Sequence, residues 1–237
     1  MTPTLPKLSP LSEFQYVGSE LALFEKARNW KAYWLSAIAP FVDGDVLEAG
    51  AGIGANMPML RGLPHSRLIA LEPDASLSKQ IVDADEVLTG TLADVPTERC
   101  FDTILYIDVL EHIEDDRGEM RRAALHLKRG GRIIVLSPAH PFLYTAFDAA
   151  IGHFRRYTRE TLRATAPPEL HLRELVYLDS VGVLASLGNR LLLRSSMPTE
   201  SQILTWDRFL VPLSRAIDPL LGGRAGKSVL GVWSREE

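Results

Sequence analysis

Three glycines, Gly50, Gly52 and Gly54, stand at alternate positions behind an acid, Glu48, in the stretch "VLEAGAGIGANM" (Val46–Met57). A loop of this kind after an apolar strand lets main chain come close to a ligand, because glycine carries no Cβ. The pattern satisfies two fingerprints, G-x-G-x-x-G/A of dinucleotide sites and acid-x-G-x-G-x-G. Glu48 would meet a pyrophosphate with like charge, whereas a ligand bearing an ammonium or sulfonium would meet opposite charge. The helix N-terminus expected beyond Gly54 can still receive one carboxylate through its free N–H groups. A second acid, Glu72 in "LEPD", lies about 22 residues after Gly50, where it can accept both ribose hydroxyls of either ligand.

A second group of reactive side chains fills "AHPFLYTAFDAAIGHFRRYTRETL": His140, Tyr144, Asp148, His153, Arg155, Arg156 and Tyr157. Arginines beside tyrosines can bind a carboxylate, a phosphate or sugar hydroxyls, which makes Tyr144, Arg155, Arg156 and Tyr157 candidates for substrate contact. Equally, Arg155 and Arg156 can tie this loop to surface acids such as Asp115 and Asp116. His65 and His171 lie far from both groups in sequence and read as surface residues.

Strand and helix signals alternate along the chain that must position these residues. "DVLEAG", "RLIALEP", "EVLTG", "FDTILYID" and "RIIVLSP" read as strands. "ANMPMLRGL", "SLSKQIVDA" and "GEMRRAALHLKRGG" read as the helices between them, the last closed by its glycines. Alternation of this kind predicts a parallel sheet covered on both faces. Ahead of it, Leu21, Phe24, Ala27, Trp30, Trp34 and Ile38 recur at three and four, an amphipathic helix with Ser19 as N-cap. The first 15 residues are rich in proline and serine and read as loose. "TRETLRATA" is a short helix capped by Thr158, "LRELVYLD" a sixth strand and "KSVLGVW" a seventh.

Roughly 48 residues of helical pattern separate the last two strands. Val181, Leu184, Leu187 and Leu191 form one stripe. Thr199 and Gln202 form a capping box opening a second helix with Ile203, Trp206, Leu210, Leu213 and Ile217 on its face. Arg190, Arg194, Arg208, Arg215, Arg224 and Lys227 make this end basic, which suits an anionic acceptor or a membrane surface. The insertion reads as a substrate lid, a dimer surface, an interfacial helix pair or a packed extension of the core.

Length and composition bound the function. The chain has 237 residues, 46% hydrophobic and 24% charged, and a net charge of −4. That gives no electrostatic footprint for nucleic acid. Its single cysteine, Cys100, excludes an intrachain disulfide. We expect no signal peptide, no membrane span, a cytoplasmic location, and a monomer or homodimer with peripheral membrane contact allowed. The expected organisation is one domain: residues 1–40 an N-terminal helical segment, 41–178 a cofactor-binding core, 179–226 a helical insertion and 227–237 the last strand.

From Val46 to Pro141 the blocks "VLEAGAGIG", "LEPD", "FDTILYIDVLEHIEDD" and "LKRGGRIIVLSPAHP" closely resemble, in order and spacing, class I S-adenosylmethionine-dependent methyltransferases. The resemblance implies an α/β Rossmann-like fold with seven mostly parallel strands, the seventh antiparallel. It implies S-adenosylmethionine as cofactor and makes a nicotinamide oxidoreductase or a non-catalytic binding module the lesser readings. Glu48, Gly50, Gly52 and Gly54 would line the methionine half, Glu72 would hold the ribose, and Pro73 would shape the adenine side. Where the family often carries an acid for the adenine amine, "GTLADVP" has Thr91 and Leu92, so that contact would come from main chain or hydroxyl. Asp108 follows the fourth strand at the cofactor and substrate opening.

Transfer of a methyl group from a sulfonium requires alignment, exclusion of water and, for a hydroxyl acceptor, removal of a proton. We expect a small-molecule acceptor with an oxygen nucleophile. His140 or His153 would be the base, oriented by Asp148 or Asp108. A lipid-linked or amphiphilic acceptor, or transfer to nitrogen or carbon, is the alternative. The expectation is no metal. Some family members hold a divalent cation through an acid-x-x-E-H cluster and a later histidine, which here would be Asp108, Glu111, His112 and His153.

Overall fold

Seven strands build the sheet of the computed structural model, which describes residues 21–188 and 198–236. They are β1 (Asp45–Ala49), β2 (Arg67–Glu72), β3 (Glu86–Thr89), β4 (Phe101–Ile107), β5 (Leu127–Pro138), β6 (Leu170–Leu178) and β7 (Ser228–Arg235). Their order is β3-β2-β1-β4-β5-β7-β6. β1 to β5 pair in parallel, and β7 runs antiparallel between β5 and β6. The expected Rossmann-like sheet, with its reversed seventh strand, is the observed one.

Alternating side chains of the central strands feed two apolar layers. Leu105, Ile107, Ile134 and Leu136 pack on one face with Trp34, Ile38 and Val211. Ile104, Tyr106, Ile133 and Val135 pack on the other with Met120, Leu162 and Trp233. Parallel strands buried on both faces read as nearly continuous apolar runs, as "TILYI" and "RIIVL" do.

The helices depart from expectation in instructive ways. The N-terminal helix is two pieces, α1 (Leu21–Phe24) and α2 (Arg28–Ile38). Ala27 at the start of α2 has no side chain to cap it. The cap comes from far along the chain: Asp207 accepts from Asn29 N at 3.1 Å, Trp30 N at 2.8 Å and Asn29 Nδ2 at 3.1 Å. Ser19, the N-cap expected from sequence, and the proline-rich first 15 residues lie outside the described residues.

The helices after β1 and β2 shrink to single turns, α3 (Met57–Leu60) and α4 (Ala75–Ser78). Asp74 caps α4 through Ser76 N and Leu77 N. α5 (Asp116–Leu125) stops before the glycines expected to close it, which instead lie within β5. A Cβ on Gly131 would sit 2.9 Å from the carbonyl of Lys128 and 3.0 Å from that of Asp102. The glycine therefore serves strand approach rather than helix termination.

Past β5 come α6 (Ala146–Ala150) and α7 (Arg159–Arg163), the latter capped by Thr158 as expected. Between β6 and β7 lie α8 (Ser180–Gly188), α9 (Glu200–Thr205), a π-helical turn (Trp206–Leu210) and α10 (Val211–Leu221). The Thr199–Gln202 capping box is present. Ile203 and Trp206 are buried, but Leu184 and Leu213, expected on packing faces, are 69% and 48% exposed. Arg190, Leu191 and Arg194 lie outside the described residues.

Carboxylates bind the insertion to the sheet. Asp218 accepts from Asp179 N at 2.7 Å, Ser180 N at 3.2 Å and Tyr33 Oη at 2.7 Å. Asp179 accepts from Gly182 N at 3.1 Å and Trp206 Nε1 at 2.8 Å. Helix starts carry unsatisfied N–H groups, so buried acids placed there stabilise them. Replacing Asp207 by alanine would leave two N–H groups of α2 without their acceptor. We expect Asp207→Ala to lower unfolding free energy by about 2 kcal/mol, read as a lower urea midpoint at unchanged slope.

Candidate functional site

The loops after β1, β2, β4 and β5 open onto one cavity of about 1400 Å³. That exceeds the roughly 300–1,000 Å³ of a typical single-ligand pocket. Its floor is the glycine loop. Gly50 has φ 69°, and a Cβ there would sit 2.7 Å from the Val109 side chain, so only glycine fits. Gly52 has φ 57° and no neighbour nearer than 3.6 Å to a Cβ, so its main chain faces open cavity. Gly54 packs on Ile81 and does not line the cavity.

Two acids hold this loop in different ways. Glu72 accepts from Gly52 N at 2.8 Å and from Asp74 N at 2.8 Å. It lines the cavity, and burial raises its carboxyl above the usual range. An ionised carboxylate has about four acceptor positions, so two remain for hydroxyls. Glu48, by contrast, stands behind the wall. It is 1% exposed and accepts from Asn56 Nδ2 at 2.8 Å, with its other oxygen, Oε2, unpartnered. Burial pushes its carboxyl up to about 7 against the pull of Asn56 and the Lys31 ammonium. Pro73, Thr91 and Leu92 line the wall beside Glu72. The Thr91 hydroxyl donates to Asp94 at 2.8 Å.

The opposite end is built on His153. Its Nδ1 lies 3.0 Å from Asp148 Oδ1, and its Nε2 lies 3.8 Å from Glu111 Oε1. Asp148 is fully buried and stands behind His153, where it also takes Arg156 Nε at 2.7 Å, Arg156 Nη2 at 3.0 Å and Thr145 N at 2.8 Å. Burial would raise the Asp148 carboxyl, but the His153 and Arg156 hydrogen bonds outweigh it and hold it well below the usual range. Glu111 accepts from Ser137 Oγ at 2.9 Å while its Oε1 has no hydrogen-bond partner, and burial raises its carboxyl well above the usual range. Asp108, in left-handed backbone at φ 54°, lines the cavity and is exposed there. The surrounding protein pushes its carboxyl up to about 6, against His153, Lys227 and Arg156.

Several sequence candidates fall elsewhere. His140 does not line the cavity. Its backbone turns at φ 64° and carries the ring onto Tyr177, 4.7 Å between centroids. Tyr144 donates to the His153 carbonyl at 2.7 Å. Arg155 donates to the carbonyls of Ile113 and Glu114 and pairs with Asp116 at 2.7 Å. Tyr157 is 1% exposed and donates to Asp116 at 2.9 Å. Of the four substrate candidates, only Arg156 lines the cavity. Glu111, His112 and His153 bring one ligating atom each within 4.8 Å of one another, a group without Asp108.

Sequence reasoning missed two cavity residues, Lys31 and Asn56, and read a third, Lys227, only as part of the basic end. Lys31 lies on the apolar stripe of α2 and donates to the Ala55 carbonyl at 2.8 Å. Its position one helical turn from Ala27 and Trp34 was the available signal. Asn56, inside the quoted glycine stretch, holds Glu48. Lys227 lies 3.6 Å above the Trp206 ring and 3.6 Å from Asp179.

A family model described as a methyltransferase domain matches residues 22–169. The chain belongs to that family. No curated protein matches the chain. Among solved structures, the methyltransferase is similar to a geranyl diphosphate methyltransferase in complex with S-adenosylmethionine, at 17% identity and TM-score 0.62, covering 95% of this chain and 93% of that one. It is similar to a Streptomyces coelicolor geranyl diphosphate C-methyltransferase at 19% identity and TM-score 0.58, covering 92% and 81%. An S-adenosylmethionine-dependent methyltransferase from Clostridium acetobutylicum aligns at 11% identity and TM-score 0.55, covering 92% and 96%. These likenesses bear on the fold, which is that of class I S-adenosylmethionine-dependent enzymes.

The residues present fit this cofactor. The open main chain at Gly52, the remaining acceptor positions of Glu72 and the apolar wall of Pro73 and Leu92 suit, in turn, an amino-acid end, a ribose and a purine. Glu48 does not line the cavity; its buried orphan oxygen lies behind the glycine loop. The Glu48 carboxyl ionises near 7 when folded and in the ordinary carboxylate range when unfolded. Stability from its neutral form is complete below the unfolded value and is lost as pH rises through about 7. We expect Glu48→Gln to remove this loss. Relative to the parent, the variant should gain on the order of 2 kcal/mol between pH 5 and pH 8 in urea titrations of the cofactor-free chain. A parent-to-variant difference that is flat with pH would show that Glu48 titrates normally.

Proposed function

We propose that this methyltransferase acts on a small molecule at an oxygen nucleophile, with His153 as general base. The observation that carries the reading is the pairing of His153 Nδ1 with buried Asp148 at 3.0 Å, on a ring that lines the cavity. With Nδ1–H donated to the acid, the lone pair of Nε2 is left for an incoming proton. Asp148 stays ionised because Arg156 grips both its oxygens, so it fixes the ring without taking the proton.

When bound, S-adenosylmethionine supplies a methyl group on a positive sulfur. The chain supplies the rest. Gly50, Gly52 and Glu72 position one end of the cavity. Phe147, Phe154, Ile151, Trp206 and Leu210 line the acceptor end and exclude water. His153 Nε2 takes the hydroxyl proton as the acceptor oxygen becomes the nucleophile. The predominance of apolar and aromatic side chains there supports an acceptor with an apolar body, and a net charge of −4 argues against nucleic acid. We read residues 1–237 as a single methyltransferase domain.

One observation favours a second reading. The unpartnered Oε1 of Glu111 faces His112 and His153, and the three offer a ligand set for a divalent cation. In that case His153 would hold the ion instead of a proton.

Calorimetry with S-adenosylhomocysteine and labelled-methyl transfer into organic and nuclease-treated fractions of an extract test the class and the acceptor. His153→Ala should lower turnover about 10²–10⁴-fold with cofactor affinity unchanged. Wild-type turnover in that variant ends the base assignment. Activity of the parent that chelators abolish and added cation restores transfers the role of His153 to the metal reading.

A further inference from the structure

The outward side of the insertion carries a second feature that methyl transfer does not use. Phe209, Leu213 and Leu220 are 60%, 48% and 86% exposed, and Ala216 is exposed with them. Their spacing of four, three and four puts them along one side of the helical run from the π-helical turn through α10. Val211, Ser214 and Asp218 bury the opposite side. On the neighbouring α8, whose Val181 N donates to Ser214 Oγ at 3.1 Å, Leu184 is 69% exposed. An apolar stripe this exposed on a folded chain marks a contact surface.

Charge indicates what covers it. Between Ser201 and Leu221 four residues are charged: Asp207, Arg208, Arg215 and Asp218. Both acids are withdrawn into the protein, where they cap α2 and α8. Both arginines are exposed, Arg208 with its guanidinium 5.4 Å over the Phe209 ring. Exposed Arg224 follows just after the helix. Burying the acids as caps thus leaves the run from Trp206 through Leu221 with an apolar line and only basic exposed charges, on a chain whose net charge is −4.

We propose that this face docks on an anionic lipid bilayer, with Phe209, Leu213 and Leu220 entering the interface and Arg208 and Arg215 meeting lipid phosphates. Apolar residues flanked by arginine are the chemistry of interfacial helices. The negative remainder of the chain is repelled by an anionic surface while this face is attracted, which sets the orientation. A second copy fits less well. It would bring Arg208 and Arg215 of both chains together, with no exposed acid between Ser201 and Leu221 to meet them. The inner side of the same helical run, Trp206 and Leu210, lines the cavity, so docking would place the acceptor end beside the membrane.

Sedimentation of the full chain with vesicles tests this, using phosphatidylcholine alone and phosphatidylcholine with one quarter phosphatidylglycerol. No cofactor or acceptor is present, so the outcome is separate from that of the catalytic reading. We expect the chain to pellet with the anionic vesicles and to stay in solution with the neutral ones. Both Phe209→Ser/Leu213→Ser/Leu220→Ser and Arg208→Glu/Arg215→Glu should lower the partition coefficient at least tenfold, with parental melting temperatures. If the first variant melts lower, the charge-reversal variant alone decides. A parent that stays in solution with both vesicles, or pellets equally with both, overturns the proposal. So does a parent dimer in light scattering that the first variant converts to monomer, since a second copy would then be the occupant.

Discussion

The cavity depends on one carboxylate reaching two main-chain donors. Glu72 ends β2, and its oxygens take the N–H of Gly52 in the first loop and of Asp74 in its own. Without that bond the glycine loop, whose conformational freedom is what brings it near a ligand, would have little to fix it. Gly50 is pinned from the other side, since its N–H donates to the Leu71 carbonyl at 2.8 Å. The tip of β2 therefore sets the shape of the loop after β1 through both main chain and side chain. Glu72 is at once the brace of the loop and the acid facing the cavity. The two roles share a residue because the lone pairs of a carboxylate point both ways.

The same device recurs where elements distant in sequence must meet. Asp207 starts α2, Asp218 starts α8, and Asp179 gathers Gly182, Trp206 and Ser214. In each case a buried acid satisfies N–H groups that a helix start leaves free, which makes its burial favourable. The insertion is thereby registered on the N-terminal helix and on β6. Trp206 comes to rest against Lys227 in the cavity wall. Helix capping, a local need, has been turned into tertiary placement.

This explains which parts were legible in the sequence. The parallel sheet and the reversed seventh strand followed from alternation and resemblance, and the Thr158 and Thr199 caps from spacing within one turn. The break between α1 and α2 was not readable, because its cause lies about 178 residues away. Nor was the fate of Tyr144, Arg155 and Tyr157. Their types suit a substrate, but carbonyls of residues 113, 114 and 153 and the acid Asp116 claim them. His140 and His153 looked alike as residues following β5. A single left-handed backbone at His140 separates them, sending one ring to Tyr177 and leaving the other beside Asp148. Leu213 was misplaced because apolar spacing alone does not say which of two apolar sides faces the core.

Charge in the cavity follows from how each acid is treated. Asp148 is held ionised by the arginine and histidine donors around it, whereas Glu111 is driven toward its neutral form by burial, which its own backbone N–H and the Ser137 hydroxyl do not offset. Asp108 lies between them, raised by its surroundings and drawn back by Lys227, Arg156 and His153. Position relative to His153 then distinguishes the three. The acid that fixes an imidazole must be ionised and within hydrogen-bond distance of the nitrogen turned away from the reaction. Asp148 meets both conditions at 3.0 Å from Nδ1, and it does so from outside the cavity. Asp108 lines the open space itself, so its charge acts on whatever occupies that space as well as on the His153 ring. The two aspartates that sequence left as alternatives for one task therefore occupy different places, Asp148 against His153 Nδ1 and Asp108 on the cavity wall.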